Sequence, residues 1–441
     1  MRIGSFPLSF PMQLEFSQFG QKFTARSGIL ELMDDLGRAM TDEPDMLMLG
    51  GGNPAAVPAM QAIWRGRMAE LLADQGAFDA MLANYDPPVG NPSFRRSLAG
   101  FLRQHCGWDV GPENVAIVNG GQTAFFFLFN ALAGSMKDGG RRQILLPITP
   151  EYIGYADQGV EGDLFVACRP IIRELNAHTF KYEVDFSAVE TALARHRIAA
   201  IAVSRPTNPS GNVLTVAEVD RLTALARQHG IPLVLDNAYG APFPGVIFGD
   251  PAPVHWQPDG SHIFTLSLSK LGLPGTRTAA VVASPQIVEA VAALTAIVGL
   301  ANGNVGQRLV QPLLDNGRLA ELSGTVLRPF YAEKSSLAQA WLREFLGDGL
   351  PWAIHASEGA FFHWLWLKDL PITSGELYQR LKRRKVIVVP GHYFFFGTDD
   401  AAGGWRHRDE CLRLNFSGPA EVVREGFRRI ADEVRDVYAG R

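Results

Sequence analysis

Short apolar runs alternate with helix-like segments through the middle of the chain. The apolar runs, which are rich in Ile, Val, Leu and Ala, are residues 114–119, 143–148, 197–204, 231–237, 262–269 and 278–284. Segments with helical periodicity, such as residues 122–134 and 216–230, lie between several of them. Strands that are apolar on both faces are typical of a parallel sheet with helices on each side. The pattern therefore predicts an α/β fold with a mostly parallel sheet.

The pattern changes after about residue 316. A long helical segment leads to apolar runs at residues 359–367, 386–391 and 411–417, and then to a final helix. This order predicts a smaller α+β domain at the C-terminal end. We divide the chain into residues 1–60, an N-terminal segment that belongs to the small domain, residues 61–316, the large ligand-binding domain, and residues 317–441, the small domain.

Composition and charge narrow the class of protein. The net charge is −4 and no basic block is present, which argues against nucleic acid as a partner because phosphate neutralisation needs clustered cations. Three scattered cysteines favour a reducing compartment and predict no metal site. The start of the chain is interrupted by Pro7 and Pro11, and the apolar residues 279–300 by Pro285 and Glu289. We therefore expect a cytoplasmic protein without a signal peptide or membrane span.

A lysine near the end of an apolar strand is the first candidate for chemistry. Lys270 follows Ser267 and Ser269 and precedes a Gly-Leu-Pro-Gly turn and Arg277. Such a lysine is either a surface residue at a strand end or an amine that forms a covalent bond. Ligands of open parallel sheets bind beyond the carboxyl ends of the strands. The choice therefore depends on whether other strand ends carry cooperating groups.

Two glycine-containing turns follow other strands. Gly121 and Gln122 stand between a strand and a helix, where free N–H groups suit a phosphate, although many strand–helix turns contain glycine for conformational reasons. Asn208 begins an Asn-Pro-Ser-Gly sequence, which has the composition of a tight turn and also offers an amide to a ligand oxygen. Each signal is weak by itself.

Charged residues in buried strands are costly unless they have partners. Asp236 ends a strongly apolar strand. It is either a structural residue, as a helix cap or an ion-pair partner, or a carboxylate that keeps a ligand's heterocycle protonated. Tyr239 follows three residues later. Arg413 lies between leucines in a C-terminal strand, where it pairs either with an acid of the protein or with a ligand carboxylate.

Taken in chain order, these residues resemble the fold-type-I aminotransferases, which use pyridoxal 5'-phosphate. The series consists of Gly-Gly-Gln at 120–122, Tyr152, Asn-Pro-Ser-Gly at 208–211, Asp236, Tyr239, Ser-x-Ser-Lys at 267–270, Arg277 and Arg413. The match extends to residues 84–102 and 386–395, and it covers nearly the whole chain. Longer strings, including "PEYIGYAD", "SRPTNPSGNV" and "DNAYGAPFPGVIF", narrow the resemblance to members that transfer the amino group of L-valine to pyruvate.

The resemblance implies a large domain with a mostly parallel seven-stranded sheet between helices, a smaller α+β domain, and defined roles for the residues. Lys270 would form the covalent bond to the cofactor and then act as the base at Cα. Asp236 would pair with the ring nitrogen, Tyr239 and Asn208 would hydrogen-bond the ring oxygen, and Tyr152 would stack on the ring. The residues implied for the phosphate are Gly121, Gln122, Ser267, Ser269 and Arg277.

Two further expectations, and one departure from the family's spacing, come from the resemblance. Tyr85 would reach the phosphate in a neighbouring subunit, so the active unit would be a homodimer with shared sites. Arg413, together with the backbone of Gly52, would bind the substrate's α-carboxylate. Arg277 follows the lysine by seven residues, whereas many relatives have eight.

Residues 295–306 indicate which class of amino acid is the substrate. In members that act on dicarboxylates this region supplies an additional arginine, and here no arginine precedes Arg308. We therefore expect a small apolar pocket and the reversible reaction of L-valine with pyruvate to give 3-methyl-2-oxobutanoate and L-alanine. Such pockets discriminate poorly, so alanine is a further candidate substrate.

Other functions remain open at the level of the sequence. An alanine transaminase with a different partner, or a lyase or decarboxylase on the same cofactor, would use the same lysine, aspartate and arginine. A regulator built on this fold would need a DNA-binding domain in front, and the first motif, at residues 49–54, leaves no room for one. A nicotinamide-dependent dehydrogenase would need the G-x-G-x-x-G fingerprint, which residues 118–125 lack.

Overall fold

The computed structural model describes residues 14–25, 27–41, 45–249, 253–399 and 404–441. Its helices are α1 (Gln18–Thr24), α2 (Gly28–Thr41), α3 (Pro58–Ala73), α4 (Gln75–Ala83), α5 (Pro92–Cys106), α6 (Gly121–Leu132), α7 (Phe186–Arg195), α8 (Val216–Gln228), α9 (Pro285–Gly299), α10 (Val305–Asp315), α11 (Arg318–Leu322), α12 (Arg328–Leu346), α13 (Ser374–Arg383) and α14 (Ala420–Tyr438). Its strands are β1 (Leu47–Met48), β2 (Val115–Val118), β3 (Gly134–Ser135), β4 (Arg141–Leu146), β5 (Phe165–Ala167), β6 (Ile171–Asn176), β7 (Thr179–Glu183), β8 (Ile198–Ser204), β9 (Leu233–Asp236), β10 (His262–Ser267), β11 (Ala279–Val282), β12 (Trp352–His355), β13 (Phe362–Leu367), β14 (Val386–Ile387), β15 (Val389–Pro390) and β16 (Cys411–Asn415).

The large sheet has the order β2-β11-β10-β9-β8-β4-β3, and β5 also pairs with β4. Strands β4, β5, β8, β9 and β10 are parallel, whereas β11 runs antiparallel to both of its neighbours. All six apolar runs predicted as strands lie in this sheet, which confirms the mostly parallel α/β fold. The described strands number eight rather than the predicted seven, because the two-residue β3 turns back onto β4 through Gly139, at φ +75°.

The second sheet has the order β15-β16-β13-β12-β7-β6. Strands β6 and β7 form a hairpin at residues 171–183, and β7 pairs in parallel with β12. The second sheet thus takes two strands from the range 61–316 that we assign to the large domain. Near the N-terminus, β1 pairs in parallel with β14, which lies in the range 317–441. Residues 1–13, 26 and 42–44 of the range 1–60 lie outside the described residues.

The long apolar segment at residues 279–300 forms β11 and then α9, as its internal proline predicts. Among the described residues, none of the helices combines the length and the apolar character needed to cross a bilayer. The long helical segment predicted at residues 323–346 is helical throughout, and its first turn, Ser323–Leu327, is wider than an α-helical turn.

Helix α14 packs closely against the segment that carries Gly50 and Gly52. A Cβ atom added to Gly426 of α14 would lie 2.4 Å from Cδ1 of Leu49, which is fully buried. Glycine at position 426 therefore permits the close approach of the helix to residues 49–52.

We expect Gly426→Ala to lower the free energy of unfolding by about 1–3 kcal/mol, because the added methyl group overpacks this contact. Gly66→Ala is the matched control, since Gly66 also lies within a helix and an added Cβ meets nothing within 4 Å. The control should raise the stability by about 0.5–1 kcal/mol through helix propensity. Urea denaturation measures both changes, and equal effects of the two substitutions would contradict the close packing.

Candidate active site

A cavity of about 210 Å³ lies at the carboxyl ends of β8, β9 and β10, where the large sheet faces Arg413 of β16. The residues predicted from the sequence that line it are Gly52, Gly121, Gln122, Tyr152, Asn208, Asp236, Tyr239, Ser267, Ser269, Lys270, Arg277 and Arg413. Parallel strands bring their last residues to one edge, and Ser204, Asp236 and Ser267 each end such a strand. Tyr85 lies elsewhere, with 83% of its surface exposed.

Lys270 stands in the one-turn helix that follows β10, with its amine inside the cavity. Its Nζ donates a hydrogen bond of 2.8 Å to the carbonyl oxygen of Gly52. The rings of Tyr239 and Phe361 lie 5.4 Å and 5.5 Å from the same atom. Burial, with the positive charges of Arg413 and Arg277, lowers the pKa of the Lys270 ammonium to about 8. The amine is therefore closer to its neutral, nucleophilic form than an ordinary lysine.

The carboxylate of Asp236 is buried beneath the cavity and accepts three hydrogen bonds. Tyr155 Oη donates to Oδ2 at 2.5 Å, and the N–H of Ala238 and the hydroxyl of Thr265 donate to Oδ1 at 2.8 Å and 3.2 Å. Burial raises the pKa of the Asp236 carboxyl, although these donors and the charge of Lys270 oppose the shift. A carboxylate held in this way is ready to pair with a buried N–H⁺ group.

Arg413 is only 2% exposed and connects the two sheets. Its Nη1 donates to Oδ1 of Asn208 at 2.8 Å, and its Nη2 donates to the carbonyl oxygen of Gly50 at 2.5 Å. The guanidinium stacks over the ring of Phe362, with Cζ 4.4 Å from its centre. Nε is buried and has no hydrogen-bond partner among the described residues. Burial lowers the pKa of this guanidinium to about 10, and an incoming carboxylate would pair with its charge.

Backbone N–H groups and the guanidinium of Arg277 lie close together at the N-terminus of α6. Gly120 has φ +90°, and a Cβ atom there would lie 2.2 Å from Nη2 of Arg277. The first N–H groups of a helix lack partners within the helix, so Gly121 and Gln122 present donors beside this guanidinium. The Gln122 side chain bonds instead to the carbonyl oxygen of Gly154, at 2.7 Å. The geometry favours an anion at this end of the cavity.

Arg277 itself adopts φ +48°, a left-handed conformation that is uncommon for a residue with a side chain. The spacing of seven residues from Lys270 is compatible with this position, since the short turn at Pro274–Thr276 delivers the guanidinium to the cavity. Ser267 and Ser269 line the same wall, and the Ser267 hydroxyl accepts a hydrogen bond from the Ser269 N–H at 3.2 Å.

Sequence reasoning missed several residues of the cavity. Ile29, Leu32 and Met33 of α2 form an apolar wall, which only the helical spacing of these positions could have suggested. Thr265, which shares a strand face with Ser267, was also missed. So was Tyr155, which follows Tyr152 by one helical turn and does not line the cavity itself but bonds to Asp236. The sequence could not show that their hydroxyls bond to Asp236.

The charges of the residues that line the cavity show whether a cofactor with a phosphate and a pyridine ring would fit. The described lining residues include three cations, Lys270, Arg277 and Arg413, and one carboxylate, Asp236. This excess of positive charge suits one phosphate and one carboxylate ligand, and Asp236 suits a protonated ring nitrogen. Among the described residues, no three His, Cys, Asp or Glu side chains converge as metal ligands would.

The lowered pKa of Lys270 is testable in the ligand-free protein. Competitive labelling with acetic anhydride, read by mass spectrometry, should show Lys270 reaching half of its maximal reactivity near pH 8, because the amine is protonated below this value and neutral above it. The exposed Lys137 serves as the internal reference. A midpoint at the ordinary lysine value of about 10.4 would contradict the desolvated environment.

Comparison with known proteins identifies the family. The family model "Aminotransferase class I and II" matches residues 66–430. The valine–pyruvate aminotransferase of Escherichia coli K12 is 46% identical over 97% of this chain and 99% of its own.

Two solved structures are also similar. A valine–pyruvate aminotransferase from Salmonella typhimurium LT2 has a TM-score of 0.83 and 42% identity, covering 93% of this chain and all of its own. A putative amino-acid aminotransferase from Psychrobacter arcticum 273-4 has a TM-score of 0.93 and 42% identity, covering 97% and 100%. With the family model matching most of its length, this chain belongs to the class I and II aminotransferases, fold-type-I enzymes that use pyridoxal 5'-phosphate.

Proposed function

We propose that this enzyme transfers the amino group of L-valine to pyruvate, giving 3-methyl-2-oxobutanoate and L-alanine, and that the reaction is reversible. The observation that carries the proposal is the pairing of the buried Arg413 with the apolar wall of α2 in one cavity. The first group suits an α-carboxylate and the second a small apolar side chain. The similarity to two proteins named valine–pyruvate aminotransferase supports the same substrates.

The chain offers a complete set of groups to hold the cofactor. We assign the phosphate to the N–H groups of Gly121 and Gln122, the hydroxyls of Ser267 and Ser269, and the guanidinium of Arg277. Asp236 would pair with the ring nitrogen. Tyr152 would stack on the ring, and the phenol of Tyr239 and the amide of Asn208 would hydrogen-bond the ring oxygen. When bound, pyridoxal 5'-phosphate supplies an electron-withdrawing ring that stabilises negative charge at the substrate's Cα.

Lys270 would hold the cofactor covalently in the resting enzyme and move the Cα proton once the substrate has bound. Both tasks need a neutral amine, and burial beside Arg413 and Arg277 favours that form. The carbonyl oxygen of Gly52, which accepts a hydrogen bond from the amine, orients it within the cavity.

Arg413 would bind the substrate's carboxylate, and the carbonyl of Gly50 and the amide of Asn208 fix the guanidinium for this task. Gly52 would lie beside the same carboxylate. The side chain would then face Ile29, Leu32 and Met33. None of these three can pair with a second carboxylate, which disfavours aspartate and glutamate.

We also propose a homodimer with shared sites, in which Tyr85 reaches the phosphate in the partner subunit. Tyr85 is exposed, as are Ile297 and Leu300 at the end of α9. Asn302 donates to the carbonyl oxygen of Pro88 at 3.0 Å, so the turn after α9 lies beside the segment that carries Tyr85. An exposed face with these apolar residues suits a second copy of the chain. The division into residues 1–60, 61–316 and 317–441 stays part of this proposal.

A cytoplasmic location, without nucleic acid or membrane as partner, is part of the same proposal. It is supported by the three cysteines, Cys106, Cys168 and Cys411, all of which are free thiols.

The half-reaction tests the proposed substrates. The purified enzyme with bound cofactor should lose its visible absorbance on addition of L-valine or L-alanine, and L-aspartate should convert it at least about tenfold more slowly. The assay should yield the matching 2-oxo acid and no free ammonia or carbon dioxide. Ammonia release would favour a lyase instead, and Lys270→Ala, as control, should bind the cofactor without turnover.

The shared site is tested through Tyr85. Because this side chain lies outside the cavity of its own chain, Tyr85→Phe should change cofactor affinity only if a partner brings it to the phosphate. We expect affinity about tenfold lower, the effect of one hydrogen bond to a charged group. Tyr438→Phe, which removes a hydroxyl bonded to the Lys368 carbonyl far from the cavity, is the control. Equal affinity in both variants would exclude Tyr85 from the site, and sedimentation analysis gives the oligomeric state.

A further inference from the structure

Glu151 is a completely buried carboxyl group, and the site described so far does not use it. It follows β4 and the cis proline Pro150, and none of its surface is exposed. Its Oε1 accepts hydrogen bonds from the N–H of Tyr152, at 2.7 Å, and from the Ser204 hydroxyl. Its Oε2 accepts from the N–H of Ser204 at 2.9 Å. Three donors from two separate segments thus converge on one carboxylate.

The backbone of the same residue ties in a third segment. The N–H of Glu151 donates to the carbonyl oxygen of Phe394 at 2.9 Å. Phe394 also faces Arg413, whose Cζ lies 5.4 Å from its ring centre. Glu151 therefore connects the loop after β4, the end of β8 and a segment that packs on the carboxylate-binding arginine.

The position of Ser204 brings this carboxylate next to the cofactor site. Ser204 is the last residue of β8, lies opposite Asp236 in the parallel register and lines the cavity. Asn208 follows four residues later in a loop that the Thr207 hydroxyl anchors to the Ser204 carbonyl at 3.0 Å. Whatever fixes Ser204 thus also fixes the start of the loop that carries Asn208.

The ionisable groups that face Glu151 are Asp236 of β9 and the phenol of Tyr155 in the turn after Tyr152. Burial raises the pKa of the Glu151 carboxyl to about 7, and the charge of Asp236 adds to the effect while the three donors oppose it. A purely structural anchor could be built from a neutral amide. In its ionised form, which prevails above about pH 7, the Glu151 carboxylate also places a negative charge beside Asp236.

We propose that Glu151 is a positioning residue of the active site, which holds Tyr152 and the end of β8 in place and, when ionised, adds a second negative charge beside Asp236. It acts on the ring through Tyr152, whose backbone it binds, and on the Asn208 loop through Ser204. The inference rests on the proposed function, because it takes Tyr152 as the residue that stacks on the cofactor.

The test compares Glu151→Gln with Glu410→Gln in the enzyme with bound pyridoxal 5'-phosphate. Glutamine keeps the shape of the side chain but loses its charge and cannot accept from both Ser204 donors. Glu410 is the matched control, since it is also buried, at 6% exposed, and accepts a hydrogen bond from Trp366 Nε1 at 2.9 Å. Three readouts are needed: the visible circular dichroism of the cofactor, the pH dependence of its absorbance, and the thermal unfolding of the cofactor-free protein.

For Glu151→Gln we expect weaker visible circular dichroism of the cofactor, because Tyr152 is no longer held in one position. We also expect kcat with the same substrate to be about tenfold lower than in the wild type. The midpoint of the absorbance change should move to lower pH, since removing a nearby negative charge disfavours the protonated form at Lys270. Glu410→Gln should match the wild type in all cofactor signals. Glu151→Asp keeps the charge but shortens the reach, so it should weaken the dichroism and keep the midpoint.

The outcomes separate this inference from the proposed function. If the wild type binds the cofactor and L-valine converts it, the function stands. If Glu151→Gln then differs from Glu410→Gln only in thermal unfolding, Glu151 is a structural anchor and the inference is wrong. If Glu151→Gln does not fold, the Glu151→Asp variant decides: unchanged dichroism would overturn the positioning role. A wild type that fails to bind the cofactor would instead refute the function.

Discussion

The buried guanidinium of Arg413 is the interaction on which the site depends. An isolated buried cation is costly, so its surroundings must offset its lost hydration. The carbonyl of Gly50, the amide of Asn208 and the face of Phe362 do so in part, and each comes from a different segment. The second sheet, the N-terminal segment and the large sheet are thereby held around one charge. The positive charge of Arg413 at the cavity wall is the reason that the cavity favours an anionic ligand.

The remaining charges follow from the same constraint. Arg413 and Arg277 both favour the neutral amine of Lys270, whereas Asp236 opposes them. A site with only cations would leave the lysine reactive but would offer nothing to a protonated ring. A site with more exposed carboxylates would repel the phosphate. Asp236 lies at the bottom of the cavity and the N-terminus of α6 lies at one end. The carboxylate that would pair with a protonated ring is thereby separated from the groups that would bind the phosphate.

Site residues could be predicted where a residue stands out from its immediate neighbours in the sequence. Asp236 and Lys270 stand at the ends of apolar runs, where a charge is conspicuous, and the topology of a parallel sheet then brings them together. The β6–β7 hairpin gave no such signal, because β6 is a largely exposed edge strand and β7 pairs with β12, far along the chain. Glu151 was also missed, since an acid after a proline looks like a loop residue. Nothing local shows that it meets Ser204, 53 positions away.

The wall formed by α2 limits how selective this enzyme can be. Binding of the α-carboxylate and the cofactor is common to every amino acid, so under the proposed assignment discrimination comes from Ile29, Leu32 and Met33 and their neighbours. A pocket of this kind rejects a charged side chain strongly, because the charge would be buried without a partner. It separates side chains that differ by one methylene by only about 1–3 kcal/mol. The proposed reaction uses both valine and alanine as amino donors, one in each direction, and therefore needs such weak discrimination between apolar side chains.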